Sequence, residues 1–164
     1  MQLTILLSLI FILAILLMLY SAVALIQDKK LFGSAPKDIQ EVIQPKQQRF
    51  NGQHILGWIL LVFSMLTIGA VFVVAVWNGK NNNYGFWQYF VRFVAILYIY
   101  KAFDMTFLDW FLLQKTHFFQ HYYPETEGCK GFRSYGFNIK SQLTKIIVFP
   151  FFSAFAAWLC TLIW

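Results

Sequence analysis

Four long apolar segments alternate with polar, charged segments along the chain. Each apolar segment has close to, or more than, the ~20 residues that an α-helix needs to cross the hydrocarbon core of a bilayer. Lipid offers no hydrogen-bond partners for the backbone, so each segment is expected to be helical. The pattern predicts an all-α integral membrane protein, a four-helix bundle that forms a single membrane domain over 1–164. The predicted spans are 3–26, 55–77, 86–113 and 146–164.

The basic residues of the connections predict the orientation of these spans. Ten of them fall in the long connections 27–54 and 114–145, whereas the short turn 78–85 carries only Lys80. Positive charge is enriched on the cytoplasmic side of membrane proteins. The long connections are therefore expected to be cytoplasmic, with both termini outside, in a multi-pass protein of the cell membrane.

The first apolar segment has an alternative interpretation as a signal peptide. Residues 21–24, Ser-Ala-Val-Ala, resemble a small-residue cleavage site. The apolar run is longer than a signal peptide needs, however, and no Lys or Arg precedes it. An uncleaved first span is the favoured interpretation.

Within the connection 27–54, a short helix is predicted after Ser34. Ser34 suits a helix N-cap, Pro36 suits an early helical position, and Asp38 and Glu41 follow in the next turns. We expect this helix to lie along the cytoplasmic membrane surface and to end near Pro45.

Composition and charge narrow the possible partners. The chain is 59% apolar and only 12% charged, against ~25% charged residues in a typical soluble domain. The net charge of +6 lies in loops beside apolar spans rather than along one face, so nucleic acid is not expected as a partner. The expected partner is the bilayer, with Lys130, Arg133 and Lys140 contacting anionic headgroups on the cytoplasmic side.

Charged residues inside the third predicted span are the main candidate site. A charge at the centre of a spanning helix costs ~2.5–3.5 kcal/mol, so these side chains are expected to face protein, water or each other. At 100° per residue, Asp104 lies ~60° from Lys101 and Asp109 lies ~80° to its other side, while Arg92 points nearly opposite. A transport or binding pathway is predicted at Lys101, Asp104, Asp109 and Tyr98. The alternative is a structural ion pair between Lys101 and Asp104.

A second candidate site lies at the predicted cytoplasmic face, where all three histidines occur. His117 and His121 are four residues apart and would share a face if the third helix continued to Tyr123. Asp109 and Glu125 would then complete a divalent metal site. Haem ligation that involves His54 is less favoured, and the preferred prediction is a protein without a cofactor.

The favoured function is transport of a small solute or ion, or service as a membrane subunit of a larger complex, and not an enzyme activity. Because the other spans carry few polar residues, transport is expected to require a homo-oligomer or a membrane partner subunit. Ser153 and Ala157 form a small-xxx-small pair, a spacing that permits close helix approach. The alternatives are a membrane-embedded enzyme or metal or haem protein that uses the histidines, and a purely structural assembly subunit.

Overall fold

In a computed structural model of the chain, which describes residues 1–33, 35–133 and 139–163, the regular structure is entirely helical. Six α-helices and two π-helices carry most of the chain, and short 3-10 turns lie at Lys29–Phe32, Pro124–Thr126 and Lys130–Arg133. The α-helices are α1 (Gln2–Tyr20), α2 (Lys37–Val42), α3 (Gln53–Asn81), α4 (Phe86–Phe103), α5 (Phe118–Tyr122) and α6 (Ile139–Ile163). The π-helices are π1 (Ser21–Ile26), which continues α1, and π2 (Asp104–Lys115), which continues α4.

Three helical segments are long and apolar enough to cross a membrane: Gln2–Ile26, Gln53–Asn81 and Ile139–Ile163. They coincide with the first, second and fourth spans predicted from the sequence, and they indicate a membrane protein. The predicted third span is not among them. Its α-helical part, α4, carries Arg92 and Lys101, and the rest is wound as π2 with Asp104 and Asp109.

The chain forms two compact units. Unit 1 comprises 1–14, 66–103 and 138–164, and unit 2 comprises 15–65 and 104–137. The long helices α1 and α3 each contribute residues to both units.

Aromatic side chains and small residues form the core of unit 1. The ring of Phe11 on α1 lies 5.8 Å from that of Phe72 on α3 and 5.0 Å from that of Tyr100 on α4, in edge-on contacts. Such geometry is favourable between aromatic rings. On α6, Ser153 and Ala157 are fully buried, so this pair of small residues packs against other parts of the same chain.

Unit 2 has a hydrophobic core built from short segments. Val23 of π1 packs with residues of the two polar connections, and the ring of Tyr123 meets that of Phe32 edge-on at 5.0 Å. The remaining buried members of this cluster are Ile39, Ile43 and Phe132. The connections predicted as cytoplasmic loops therefore fold into a packed structure.

The short helix α2 lies where a helix was predicted in the connection 27–54. Pro36 stands at its N-cap, and Ile43 leaves the helix in an extended conformation, two residues before Pro45. Proline disfavours helical backbone in the residue directly before it, here Gln44, so the helix could have extended by no more than one further residue, Ile43. Ser34, the predicted cap, lies outside the described residues.

Candidate functional site

Two of the four predicted pathway residues, Lys101 and Tyr98, belong to unit 1, where both bind α6. Lys101 is 2% exposed, and its ammonium donates a hydrogen bond to Oε1 of the buried Gln142. The hydroxyl of Tyr98 donates to the carbonyl oxygen of Ile146 at 3.0 Å. Both side chains thus contribute to the contact between α4 and α6.

The Tyr98 contact has a specific cause in the sequence of α6. The carbonyl of Ile146 would normally accept from the N–H four residues later, but residue 150 is proline and has no N–H. Because an unsatisfied carbonyl within the bilayer costs several kcal/mol, a replacement donor is needed. Tyr98 supplies it.

The other two pathway residues, Asp104 and Asp109, belong to unit 2 and line one cavity of about 210 Å³. Most of its wall is apolar, including Val23 of π1 and Phe32, with further leucine side chains from π2. We call this space the aspartate cavity. It combines a hydrophobic interior with two partly buried carboxylates.

The π-helical winding of π2 explains why the two carboxylates share the cavity. In an α-helix, five residues correspond to 500°, so Asp104 and Asp109 would point about 140° apart. A π-helix is closed by i→i+5 hydrogen bonds, which place residues five apart one above the other. The α-helical angles used in the sequence analysis do not apply between Asp104 and Asp109, because the local winding changes at Asp104.

Segments from the two polar connections cover this part of unit 2 and are held together by acidic side chains. The Asp38 carboxylate accepts hydrogen bonds from Gly131 N at 2.8 Å and from Ile39 N at 3.0 Å. A side chain at position 131 would have no room, since a Cβ there would lie 2.6 Å from Asp38 Oδ1. The glycine therefore permits this contact.

Glu125 forms a second link between the connections. Its Oε2 lies 2.6 Å from Lys46 Nζ, and Lys46 also lies 5.7 Å from the centre of the Tyr123 ring. Burial tends to raise the pKa of Glu125, but the hydrogen bonds from Lys46 and from backbone N–H groups outweigh it and hold that pKa below its usual value. The carboxylate is ionised at neutral pH.

The predicted metal site is less well supported by the geometry. Across the described residues, no three His, Cys, Asp or Glu side chains are placed to hold a metal ion. The third helix does not continue through His117, which instead precedes α5 with φ −92° and ψ 27°. Glu125 pairs with Lys46, and Asp109 lines the aspartate cavity. The metal and haem interpretations stay predictions.

The predicted headgroup contacts fall in both units. Lys130 and Lys140 are exposed, while the side chain of Arg133 lies outside the described part of the chain. The two cysteines are free thiols, Cys129 in unit 2 and Cys160 in unit 1.

Arg92, which the sequence analysis places nearly opposite Lys101, meets another helix, α3, although sequence reasoning did not identify its partners there. The side chain is 5% exposed and donates from Nη1 to Ala75 O and Asn78 Oδ1, both at 3.0 Å. It also donates from Nη2 to the Tyr84 hydroxyl at 2.6 Å, and its charge lies over the Tyr84 ring. The available signal was its distance in sequence from the polar turn 78–85, since Arg92 lies about two helical turns after the end of that turn and its long side chain can reach back to it.

Comparison with protein-family models, curated proteins and solved structures finds no match for this chain. Its function is therefore inferred from the side chains themselves.

Proposed function

We propose that this protein binds a small organic cation within the membrane and takes part in its transport. The observation that carries the proposal is the shared position of Asp104 and Asp109 on the wall of the aspartate cavity. Ionisable residues at membrane depth are rare and commonly mark substrate pathways. Here two of them line a single, mainly apolar space.

The chemistry of the cavity favours a ligand with both a positive charge and an apolar group. The attraction between a carboxylate and a cation is stronger in an apolar setting than in water, so these carboxylates favour a positively charged ligand. The volume of about 210 Å³ exceeds the ~150 Å³ of an apolar cavity that accommodates benzene. A ligand the size of a substituted benzene with a quaternary ammonium group fits this description.

The proposed transport role also requires a membrane topology and an assembly state, which we propose as follows. We place four spans in the cell membrane with both termini outside, on the strength of the ten basic residues in the two long connections against one in the turn 78–85. A cavity of about 210 Å³ extends over only a small part of the ~30 Å thickness of the hydrocarbon core. Transport therefore requires a homo-oligomer or a membrane partner subunit that extends the route.

The proposal is tested by flux of benzyltrimethylammonium into proteoliposomes that contain the purified protein. We expect protein-dependent uptake, and we expect Asp104→Asn and Asp109→Asn each to lower it by about tenfold or more, because each removes one carboxylate charge, whose attraction for a cation about 4 Å away is ~4 kcal/mol at an effective dielectric constant of about 20. Both substitutions keep the side-chain size, so the cavity itself is preserved.

Glu127→Gln is the matched control, since Glu127 is an exposed carboxylate of the same unit and does not line the cavity. It removes the same charge and should leave uptake unchanged. Uptake that is equal in the wild type and in both aspartate variants contradicts the proposed role.

A further inference from the structure

A groove of about 530 Å³ opens on unit 1 beside the first turns of α1 and the first half of α4. Its floor is apolar and includes Ile5, Val91 and Ala95. Toward the N-terminal end of α4 the lining includes Trp87 and Gln88, and the buried Arg92 lies about one turn further along, between Val91 and Ala95. The groove is therefore mainly apolar, with one cation on its α4 wall.

The guanidinium of Arg92 is held in place by neutral groups alone. Its described acceptors are the Ala75 carbonyl, the Asn78 amide oxygen and the Tyr84 hydroxyl. These bonds occupy three of the five N–H donors that an arginine carries. They orient the cation toward the groove without neutralising it.

Unit 1 contains no acidic side chain that can balance this charge. All seven Asp and Glu residues of the chain fall in unit 2, whereas unit 1 has five basic residues. A buried charge is stable only where an opposite charge or full hydrogen bonding compensates for its lost hydration. The five basic residues are Lys80, Arg92, Lys101, Lys140 and Lys145.

The position of Arg92 relative to the aromatic residues suits the headgroup region of a bilayer. Arg92 lies about 9 Å along the helix from Phe86, the first residue of α4. Trp77 and Trp87, both strongly exposed, lie near the turn between α3 and α4. Exposed tryptophans are enriched at the membrane interface, so we infer that the end of the groove beside Trp87 lies at this interface and that Arg92, about one and a half turns further along α4, is within reach of a lipid phosphate.

We propose that this groove binds an anionic phospholipid, with the lipid phosphate at Arg92 and Gln88 and an acyl chain along Ile5, Val91 and Ala95. The phosphate supplies the missing negative charge, and its oxygens accept charge-assisted hydrogen bonds from arginine. A free phosphate ion would satisfy Arg92 but would leave the apolar length of the groove without a ligand. This site is separate from the aspartate cavity and does not depend on its function.

The test is native mass spectrometry of the full chain in mild detergent, titrated separately with dioleoyl phosphatidylglycerol, dioleoyl phosphatidylcholine and inorganic phosphate. We expect one tightly bound phosphatidylglycerol per chain and at least tenfold weaker binding of phosphatidylcholine. Arg92→Gln should weaken phosphatidylglycerol binding by about tenfold or more, as expected for loss of a charge-assisted hydrogen bond.

Because Arg92→Gln also removes contacts to α3, a second variant leaves Arg92 intact. Ala95→Phe fills the apolar part of the groove and should displace the acyl chain, whereas Val73→Phe, at a strongly exposed position of α3 outside the groove, should not affect binding. Phosphatidylglycerol binding that is unchanged in both Arg92→Gln and Ala95→Phe overturns the proposal. Equal binding of phosphatidylcholine, or binding of inorganic phosphate as tight as that of phosphatidylglycerol, overturns it as well.

Discussion

Single acidic side chains hold the polar connections of unit 2 in place. Asp38 accepts a hydrogen bond from the backbone N–H of Gly131, and Glu125 pairs with Lys46. In each case the two partners lie far apart in the sequence, so the contacts close long loops. The stability of the packed connections of unit 2 should therefore depend on whether these carboxylates are ionised.

The Glu125 carboxyl predicts a pH-dependent contribution to stability. Its pKa in the folded protein lies below the usual value of 4.5, so its contribution is present above that pH and is lost as the pH falls through the lower folded pKa. Glu125→Gln should lower the free energy of unfolding at pH 7 by less than about 1 kcal/mol and should remove this part of the acid sensitivity.

Thermal unfolding in detergent between pH 7 and pH 3 measures this difference. The exposed Glu127→Gln provides the control for loss of one carboxylate. A constant offset between the wild type and Glu125→Gln across the whole pH range is inconsistent with the ion pair.

At the scale of elements, the change from α-helical to π-helical winding in the third segment defines the candidate site. The sequence predicted a helix over 86–113, and helical backbone extends from Phe86 to Lys115. The charged residues were identified from their cost in a membrane, which depends on composition alone. The directions in which these side chains point could not be predicted, because an analysis of hydrophobic periodicity assumes 3.6 residues per turn and gives no indication of i→i+5 hydrogen bonding.

The contact between α4 and α6 was beyond sequence reasoning for a related reason. Pro150 shows that one carbonyl of α6 lacks its helical donor, but the sequence does not say which neighbouring side chain will replace it. Likewise, Gln142 was not identified as the acceptor for Lys101, since that pairing depends on how the helices pack. Tertiary packing decides both.

A double-mutant cycle tests the role assigned to Tyr98. Tyr98→Phe should lower the free energy of unfolding by about 1 kcal/mol, because the Ile146 carbonyl loses its donor. In a Pro150→Ala background, residue 150 supplies an N–H to that carbonyl, so the same substitution should have a smaller effect. Unfolding in mixed detergent measures the four variants, and an equal effect of Tyr98→Phe in both backgrounds contradicts this assignment.

At the scale of the whole molecule, charge is divided between the two units. Unit 2 holds all seven acidic residues, and unit 1 is purely basic in its charged side chains. Three of the four proposed spans are long and apolar enough to cross the membrane, while the third carries the charges that define the site. Span count and orientation therefore need a direct test.

The proposed topology is tested by thiol labelling in intact cells with a membrane-impermeant reagent, after Cys129 and Cys160 are replaced by serine. Asn82→Cys in the exposed turn should react from outside, whereas Gln48→Cys in the first long connection should react only after the membrane is permeabilised. The reverse pattern contradicts the proposed orientation. Labelling of both positions from outside contradicts the proposal that the second span, which lies between them, crosses the membrane.

The most direct test of the central claim is calorimetric titration of the purified protein with benzyltrimethylammonium. We predict saturable binding to the wild type, at least tenfold weaker binding to the Asp104→Asn, Asp109→Asn double variant, and wild-type binding to Glu127→Gln. Equal affinity for the wild type and the double variant, or no binding to the wild type, would contradict the claim that the aspartate cavity is a cation site.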